Sequence, residues 1–200
     1  MNIRTFLGAT PRTFLAVALT GLVFLAPTAA THATEAAWAR LAQGGYTILL
    51  GHGRTLGNGE PLRPDTGDCA GVKTLSDRGI QSARRLGMRF AARAVSISAI
   101  LSGDYCRAQE TAALAFSRSK IETRAYLNPP AEDADPSAFP PDLIAAIETF
   151  SDYGNQLMIT HPALIRALTG TLPRQGEAVI VAPGPTPGGQ PRVVARLLLD

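Results

Sequence analysis

The chain has 200 residues, of which 46% are hydrophobic, with 19 Lys and Arg against 16 Asp and Glu. This length suits one domain with a full core, and the ordinary apolar content excludes collagen, coiled coil and wholesale disorder. Two cysteines are too few for a disulfide-built scaffold or a four-cysteine zinc site, and a net charge of +3 without a basic run argues against a nucleic-acid partner.

The N-terminus has the features of a secretory signal peptide. Arg4 and Arg12 precede an uncharged apolar run at 14–26, and small residues follow as far as Ala33. This order predicts a signal peptide at 1–33, cleavage after Ala33, a mature domain at 34–200 and a periplasmic or secreted protein. The apolar run is shorter than the ~20 residues that span a bilayer, so we expect no stable membrane insertion after cleavage. The alternative is an uncleaved N-terminal anchor.

The first half of the mature chain alternates apolar runs with amphipathic ones. A short helix ends near Leu41 and is closed by two glycines, and a buried strand follows at 46–50. A long loop rich in Gly and Pro extends to Lys73. The next helix, at 75–92, has Ser76 as its predicted N-cap and places its arginines largely opposite its apolar face.

The second half continues the alternation. Strands are predicted at 97–101, 120–126, 156–160, 177–182 and 193–198, and helices at 106–116, 142–150 and 162–168. The Pro-rich segment 127–141 is predicted to be a loop. Strands that alternate with helices predict one three-layer α/β domain with a mainly parallel central sheet, without internal repeats.

Three chemically useful side chains follow predicted strands. His52 and His161 come just after the strands at 46–50 and 156–160, and Arg107 opens the helix that follows the strand at 97–101. Ligands of open α/β sheets bind at the carboxyl ends of the strands, and helix N-termini attract anions. The pattern predicts a phosphate site with two imidazoles, one of which can act as a nucleophile toward phosphorus. Such a site needs no metal and no cofactor.

Four segments carry a family resemblance, in order and with suitable spacing. The segment 46–55 ends in Gly-His-Gly-Arg-Thr, 75–83 reads Leu-Ser-Asp-Arg-Gly-Ile-Gln-Ser-Ala, 101–112 contains Ser-Gly-Asp-Tyr-Cys-Arg-Ala-Gln-Glu-Thr-Ala, and 157–161 is a strand ending in histidine. Together they resemble the histidine phosphatase (phosphoglycerate mutase-like) superfamily, and most resemble its exported bacterial members. The resemblance implies a phosphatase-type α/β fold and a phosphohistidine intermediate.

The resemblance also implies roles for individual residues. His52 matches the phosphorylated nucleophile, Arg107 a phosphate-binding arginine and His161 the second pocket histidine. Other candidates for substrate binding near these positions are Gly53, Arg54, Asn58 and Thr160. The expected substrate is a phosphorylated small molecule or a phosphohistidine, and the sequence does not specify an oligomeric state.

Gly51 is the main departure from the family pattern, which has a phosphate-binding arginine directly before the nucleophilic histidine. One charged hydrogen-bond donor of this kind contributes ~1.5–3 kcal/mol. We therefore expect weakened catalysis, unless Arg54 reaches in from the loop. The alternative is a catalytically degenerate member that binds a phosphate ligand or a partner. Pro162 is a smaller departure, in place of the Gly or polar residue that often follows the second histidine.

The general acid and the state of the cysteines stay open at this point. Phosphomonoester hydrolysis needs a proton donor for the leaving oxygen, and the candidates are Glu132, Asp133, Asp135 and Asp104. The alternative interpretation of the first three is a solvated acidic turn. Cys69 and Cys106 form a disulfide or remain two buried thiols, and an exported protein permits the former.

A serine hydrolase is disfavoured because no Gly-x-Ser-x-Gly motif occurs, and a metal hydrolase because the histidines lack ligand spacing.

Overall fold

The computed structural model describes residues 29–56, 67, 69, 74–116, 120–130 and 139–199. Its helices and strands, in chain order, are α1 (Ala29–Gln43), β1 (Thr47–Gly51), α2 (Asp77–Ala92), β2 (Ile97–Ser102), α3 (Cys106–Ala115), β3 (Ile121–Thr123), α4 (Pro141–Glu148), β4 (Asn155–Thr160), α5 (Pro162–Thr169), β5 (Glu177–Ala182) and β6 (Arg192–Leu198).

These strands form one six-stranded sheet in the order β3-β2-β4-β1-β5-β6. β1, β2, β3 and β4 are mutually parallel, whereas β5 runs antiparallel to β1 and pairs antiparallel with β6. The predicted mainly parallel sheet is therefore confirmed. Parallel β1 and β4 end side by side, because Gly51 is in register with Thr160, and this brings the two histidines that follow them to one edge.

Helices cover both faces of the sheet. One core cluster joins apolar residues of α1, α2 and α3 to one face, including Trp38, Phe90 and Ala112. A second cluster joins α4 and α5 to the other face, including Ile147 and Leu168. Successive residues of β1 pack alternately into the two clusters: Ile48 and Leu50 lie in the first cluster and Leu49 lies in the second. This period of two follows from the pleat of a strand and confirms the three-layer prediction.

The helix ends follow the sequence signals. The Ser76 side chain accepts a hydrogen bond from the Gly79 amide at 3.2 Å and caps α2, as predicted. Gly44, directly after α1, has φ +76°, and a Cβ built there would lie 1.9 Å from the Tyr153 carbonyl oxygen. Only glycine fits that left-handed, closely packed position.

α1 is fixed to the domain by both apolar and charged contacts. Trp38 is 7% exposed and packs edge-to-face on Phe90, with ring centroids 5.8 Å apart. The Arg93 guanidinium lies 5.3 Å from the Trp38 ring and donates hydrogen bonds to both carboxylate oxygens of Glu35. Those hydrogen bonds lower the pKa of Glu35 below its ordinary value.

The structure corrects the predicted strand at 120–126. β3 covers only Ile121–Thr123, and Ala125–Leu127 forms a 3₁₀ turn in which the Leu127 amide donates to the Arg124 carbonyl. The turn buries Leu127 completely in the second core cluster, which an extended chain would not allow at this edge. Within the part of the chain that the structure describes, no helix is long and apolar enough to span a membrane.

Candidate active site

His52 follows β1 and is held by its own backbone and that of the next residue. Its amide donates to the Thr160 carbonyl at 2.9 Å, which extends the β1–β4 ladder by one step. Its Nδ1 lies 2.9 Å from the Gly53 carbonyl oxygen. Because a carbonyl only accepts hydrogen bonds, Nδ1 carries the proton, and Nε2 keeps the lone pair that a nucleophile needs.

His161 occupies the N-cap position of α5, directly after β4, and is fully buried. Its ring centroid lies 5.0 Å from that of His52, at an interplanar angle of 70°. The two predicted imidazoles therefore meet at the edge of the sheet where the parallel strands end.

Tyr105 and Arg107 complete the cluster from the start of α3. The Tyr105 ring centroid lies 4.7 Å from that of His161, and the Arg107 guanidinium carbon lies 4.5 Å from the Tyr105 centroid. His52, His161, Tyr105 and Arg107 thus form a continuous row of side-chain contacts, which we call the catalytic stack after the role that the sequence predicts for its histidines and arginine. His52 is 8% exposed and Arg107 is 1% exposed. Charges interact more strongly in such a buried site than in water, which favours binding of a phosphoryl group.

Thr111 ties the loop of the nucleophile to α3. Its Oγ1 accepts from the Gly53 amide at 2.8 Å and donates to the Arg107 carbonyl at 2.7 Å. The Thr160 hydroxyl likewise donates to the Leu127 carbonyl at 2.5 Å. The Gly53 amide and the Thr160 hydroxyl, in residues predicted to bind substrate, therefore donate within the protein.

Further links connect α3 to the long loop that precedes α2. Cys69 and Cys106 form a disulfide, the first of the two alternatives that the sequence left open. The Glu110 carboxylate accepts hydrogen bonds from the Thr74 amide and hydroxyl and from the Leu75 amide, at 2.7–3.0 Å. Both links hold the loop against the helix that carries Arg107.

The two departures from the family pattern are neighbours in space. A Cβ built on Gly51 would lie 3.2 Å from Cγ of Pro162 and 3.5 Å from its Cδ. At 3.2 Å the ring of Pro162 must yield by a few tenths of an ångström to admit a Cβ. Pro162 therefore occupies space that any side chain at position 51 would approach.

The remaining predicted residues divide into two groups. Arg54 is exposed and lines a cavity beside α2 together with Arg78 and Arg85. Arg107 does not line this cavity. Asn58 and three of the candidate acids lie outside the described residues, namely Glu132, Asp133 and Asp135. The fourth candidate acid, Asp104, accepts a hydrogen bond from the Asn128 side-chain amide at 2.9 Å and donates its own amide to Asn128 Oδ1.

Sequence reasoning missed three residues that shape the site: Tyr105, Thr111 and Gln175. Gln175 donates to the His52 carbonyl at 3.2 Å across 123 residues of sequence. Tyr105 could have been found from its place at the N-cap of α3, whereas no local signal marks Gln175. Across 29–56, 67, 69, 74–116, 120–130 and 139–199, no group of three His, Cys, Asp or Glu residues is arranged to hold a metal.

Comparison with solved structures identifies the fold. A phosphoserine phosphatase mutant from Entamoeba histolytica in complex with phosphoserine is similar at 14% identity and a TM-score of 0.56, over 78% of this chain and 98% of that chain. The protein histidine phosphatase SixA complexed with tungstate is similar at 16% identity and a TM-score of 0.52, over 77% of this chain and 97% of that one. No curated protein matches this chain.

The six-stranded sheet with helices on both faces is therefore the α/β fold that these phosphatases share. The family model described as histidine phosphatase superfamily (branch 1) matches residues 47–128, which include His52 and Arg107.

Proposed function

We propose that this protein is a phosphatase that works through a phosphohistidine intermediate on His52. The observation that carries the proposal is the 2.9 Å contact of His52 Nδ1 with the Gly53 carbonyl oxygen, which favours the tautomer with a lone pair on Nε2, beside the ring of His161. The match of residues 47–128 to the histidine phosphatase family model and the phosphatases that share the fold support the same reaction class.

The reaction has two steps. The Nε2 lone pair of His52 attacks phosphorus, the new P–N bond forms, and the bond between phosphorus and the leaving atom breaks. The leaving atom takes a proton from an acid, for which Asp104 is the candidate within the described residues. Water then attacks phosphorus and gives its proton to the carboxylate that the acid has become, the P–N bond breaks, and inorganic phosphate leaves. Arg107 and His161 stabilise the charge on the phosphoryl oxygens in both steps.

The substrate proposed for this site is a phosphorylated small molecule or a phosphohistidine. Gly51 removes one cationic donor from the pocket, so a substrate with an easy leaving group suits the site best. The nitrogen of a phosphohistidine leaves more readily than the oxygen of an ester. We further propose that the protein acts outside the cytoplasm, which the signal-like N-terminus and the Cys69–Cys106 disulfide support.

A binding module is the second candidate function, and Gly51 with Pro162 packed against it is the observation that favours it. Such a protein would bind phosphate or vanadate and release almost no phosphate from any donor.

Phosphate release separates the two functions. We expect the protein to release phosphate from phosphomonoesters and from a phosphohistidine donor without added metal, and His52→Ala to reduce release to background. Arg107→Lys should reduce kcat/KM because lysine lacks the planar fork, while Arg124→Lys, at an exposed pair with Glu122, serves as the matched control. Vanadate binding without turnover by the wild-type protein would instead establish the binding module.

A further inference from the structure

A second concave site lies beside the catalytic stack. It is a cavity of about 230 Å³ between the loop after β1, the first three turns of α2 and the segment before β5. Its lining residues are Arg54, Arg78, Ser82, Arg85 and Gln175. We call it the arginine cavity. None of its lining residues belongs to the catalytic stack.

The helix periodicity accounts for the cationic wall of this cavity. Positions 78, 82 and 85 are spaced i, i+4 and i+7, so their side chains share one face of α2. The adjoining face carries Ala83, Leu86 and Phe90 into the core. Arg78 and Arg85 are separated by roughly 10 Å along the helix axis, at 1.5 Å per residue. Arg85 also donates to the Ser82 hydroxyl at 3.4 Å.

The cavity has a positive charge that the described part of the chain leaves unbalanced. Three of its five lining residues are arginines, and none is an acid. Other arginines in the described ranges form ion pairs with glutamates, as Arg93 does with Glu35 and Arg196 with Glu177. No described carboxylate forms an ion pair with Arg54, Arg78 or Arg85. Guanidinium groups that converge on one concavity favour an oxyanion such as a phosphate or a carboxylate.

Two connections join the arginine cavity to the nucleophile. Arg54 is two residues after His52, so their Cα atoms are at most ~7 Å apart. Gln175 lines the cavity and at the same time donates to the His52 carbonyl. The arginine cavity therefore borders the backbone of the nucleophile.

We propose that the arginine cavity binds a second anionic group of the substrate, so that the preferred substrates are small molecules with a phosphoryl group at His52 and another phosphate or carboxylate in the cavity. This inference rests on the proposed phosphatase function, because it assumes that the same molecule reaches His52. It assigns Arg54, Arg78 and Arg85 to substrate selection, separate from the chemistry of the catalytic stack.

Matched substrates test the proposal. The ratio of kcat/KM for fructose 1,6-bisphosphate to that for fructose 6-phosphate should exceed one in the wild-type protein and fall about tenfold or more in an Arg78→Gln, Arg85→Gln double variant. Arg84→Gln is the matched control, because this exposed arginine is on the same helix and outside the cavity. An equal ratio in the wild type and the double variant, or an equal fall in the control, would overturn the proposal.

A binding measurement distinguishes this proposal from the phosphatase function itself. Calorimetry with the bisphosphate and the His52→Ala variant measures binding without turnover, and the arginine double variant in that background should bind it at least tenfold more weakly. If the arginine double variant loses binding in this way and the wild-type protein releases no phosphate, the phosphatase function is contradicted and the anion site is retained. If inorganic phosphate alone binds the cavity while the double variant binds the bisphosphate normally, the cavity holds a free anion, and the substrate-linked proposal fails.

Discussion

At the scale of single residues, the hydrogen bonds of His52 support its proposed role as the nucleophile. A backbone carbonyl fixes the protonated nitrogen, and the amide of the same residue extends the ladder between β1 and β4. The position of both histidines was predictable, because each directly follows a buried apolar strand. The stacking of Tyr105 between His161 and Arg107 was not, because it depends on how α3 packs against β4.

The contact between Gly51 and Pro162 gives the first prediction. We expect Gly51→Arg alone to raise kcat/KM little, because Pro162 stands 3.2 Å from the new Cβ. The double variant Gly51→Arg, Pro162→Ala should gain more, on the order of 10²-fold for one preorganised donor. Initial rates of phosphate release check this, with Pro162→Ala alone as the control. If the double variant is no faster than the single one, the two positions are not coupled.

At the scale of secondary-structure elements, α3 organises the site. Its first turns supply Arg107, the Cys106 half of the disulfide, and the Glu110 and Thr111 contacts that hold two loops. The helix was predicted from an apolar pattern after a turn. The disulfide to Cys69 was one of two alternatives that the sequence left open. The Glu110 contact with Thr74 was not predicted, since it joins segments more than 30 residues apart through side chains that also suit a solvated surface.

The second prediction concerns the disulfide. Its two cysteines are 37 residues apart, and closing a loop of that length stabilises the fold by about 2–4 kcal/mol. A Cys69→Ser, Cys106→Ser variant should lose that much free energy of unfolding in urea and bind phosphate more weakly, because Cys106 adjoins Arg107. A reductant should affect the wild-type protein in the same way and leave the variant unchanged. Equal urea midpoints for wild type and variant would show that the loop is held by other contacts.

At the scale of the whole molecule, the alternation of strands and helices was sufficient to predict the three layers and most element boundaries. The antiparallel direction of β5 was not evident, because a fully buried strand has the same apolar pattern in either direction. The net charge was also a poor guide to the presence of a cationic cavity. It is close to neutral for residues 34–200, whereas the fold collects three arginines in one cavity.

The third prediction concerns the start of the mature domain. The core residues of α1, Ala37, Trp38 and Leu41, all follow the predicted cleavage after Ala33. A protein of residues 34–200 should therefore unfold cooperatively, and Trp38→Ala should destabilise it by ~3–5 kcal/mol. Thermal unfolding followed by circular dichroism measures both. Mass spectrometry of the exported protein should find Thr34 at the N-terminus, and an intact leader would contradict the predicted cleavage.

The measurement that tests the phosphatase most directly is detection of phosphate on His52. The wild-type protein is mixed with a phosphohistidine donor, quenched in alkali within seconds, and its peptides are examined by mass spectrometry. We predict a phosphorylated peptide at His52 that forms faster than phosphate is released, and none in His52→Ala. Phosphate release without that adduct, or phosphorylation of another residue, would contradict His52 as the nucleophile.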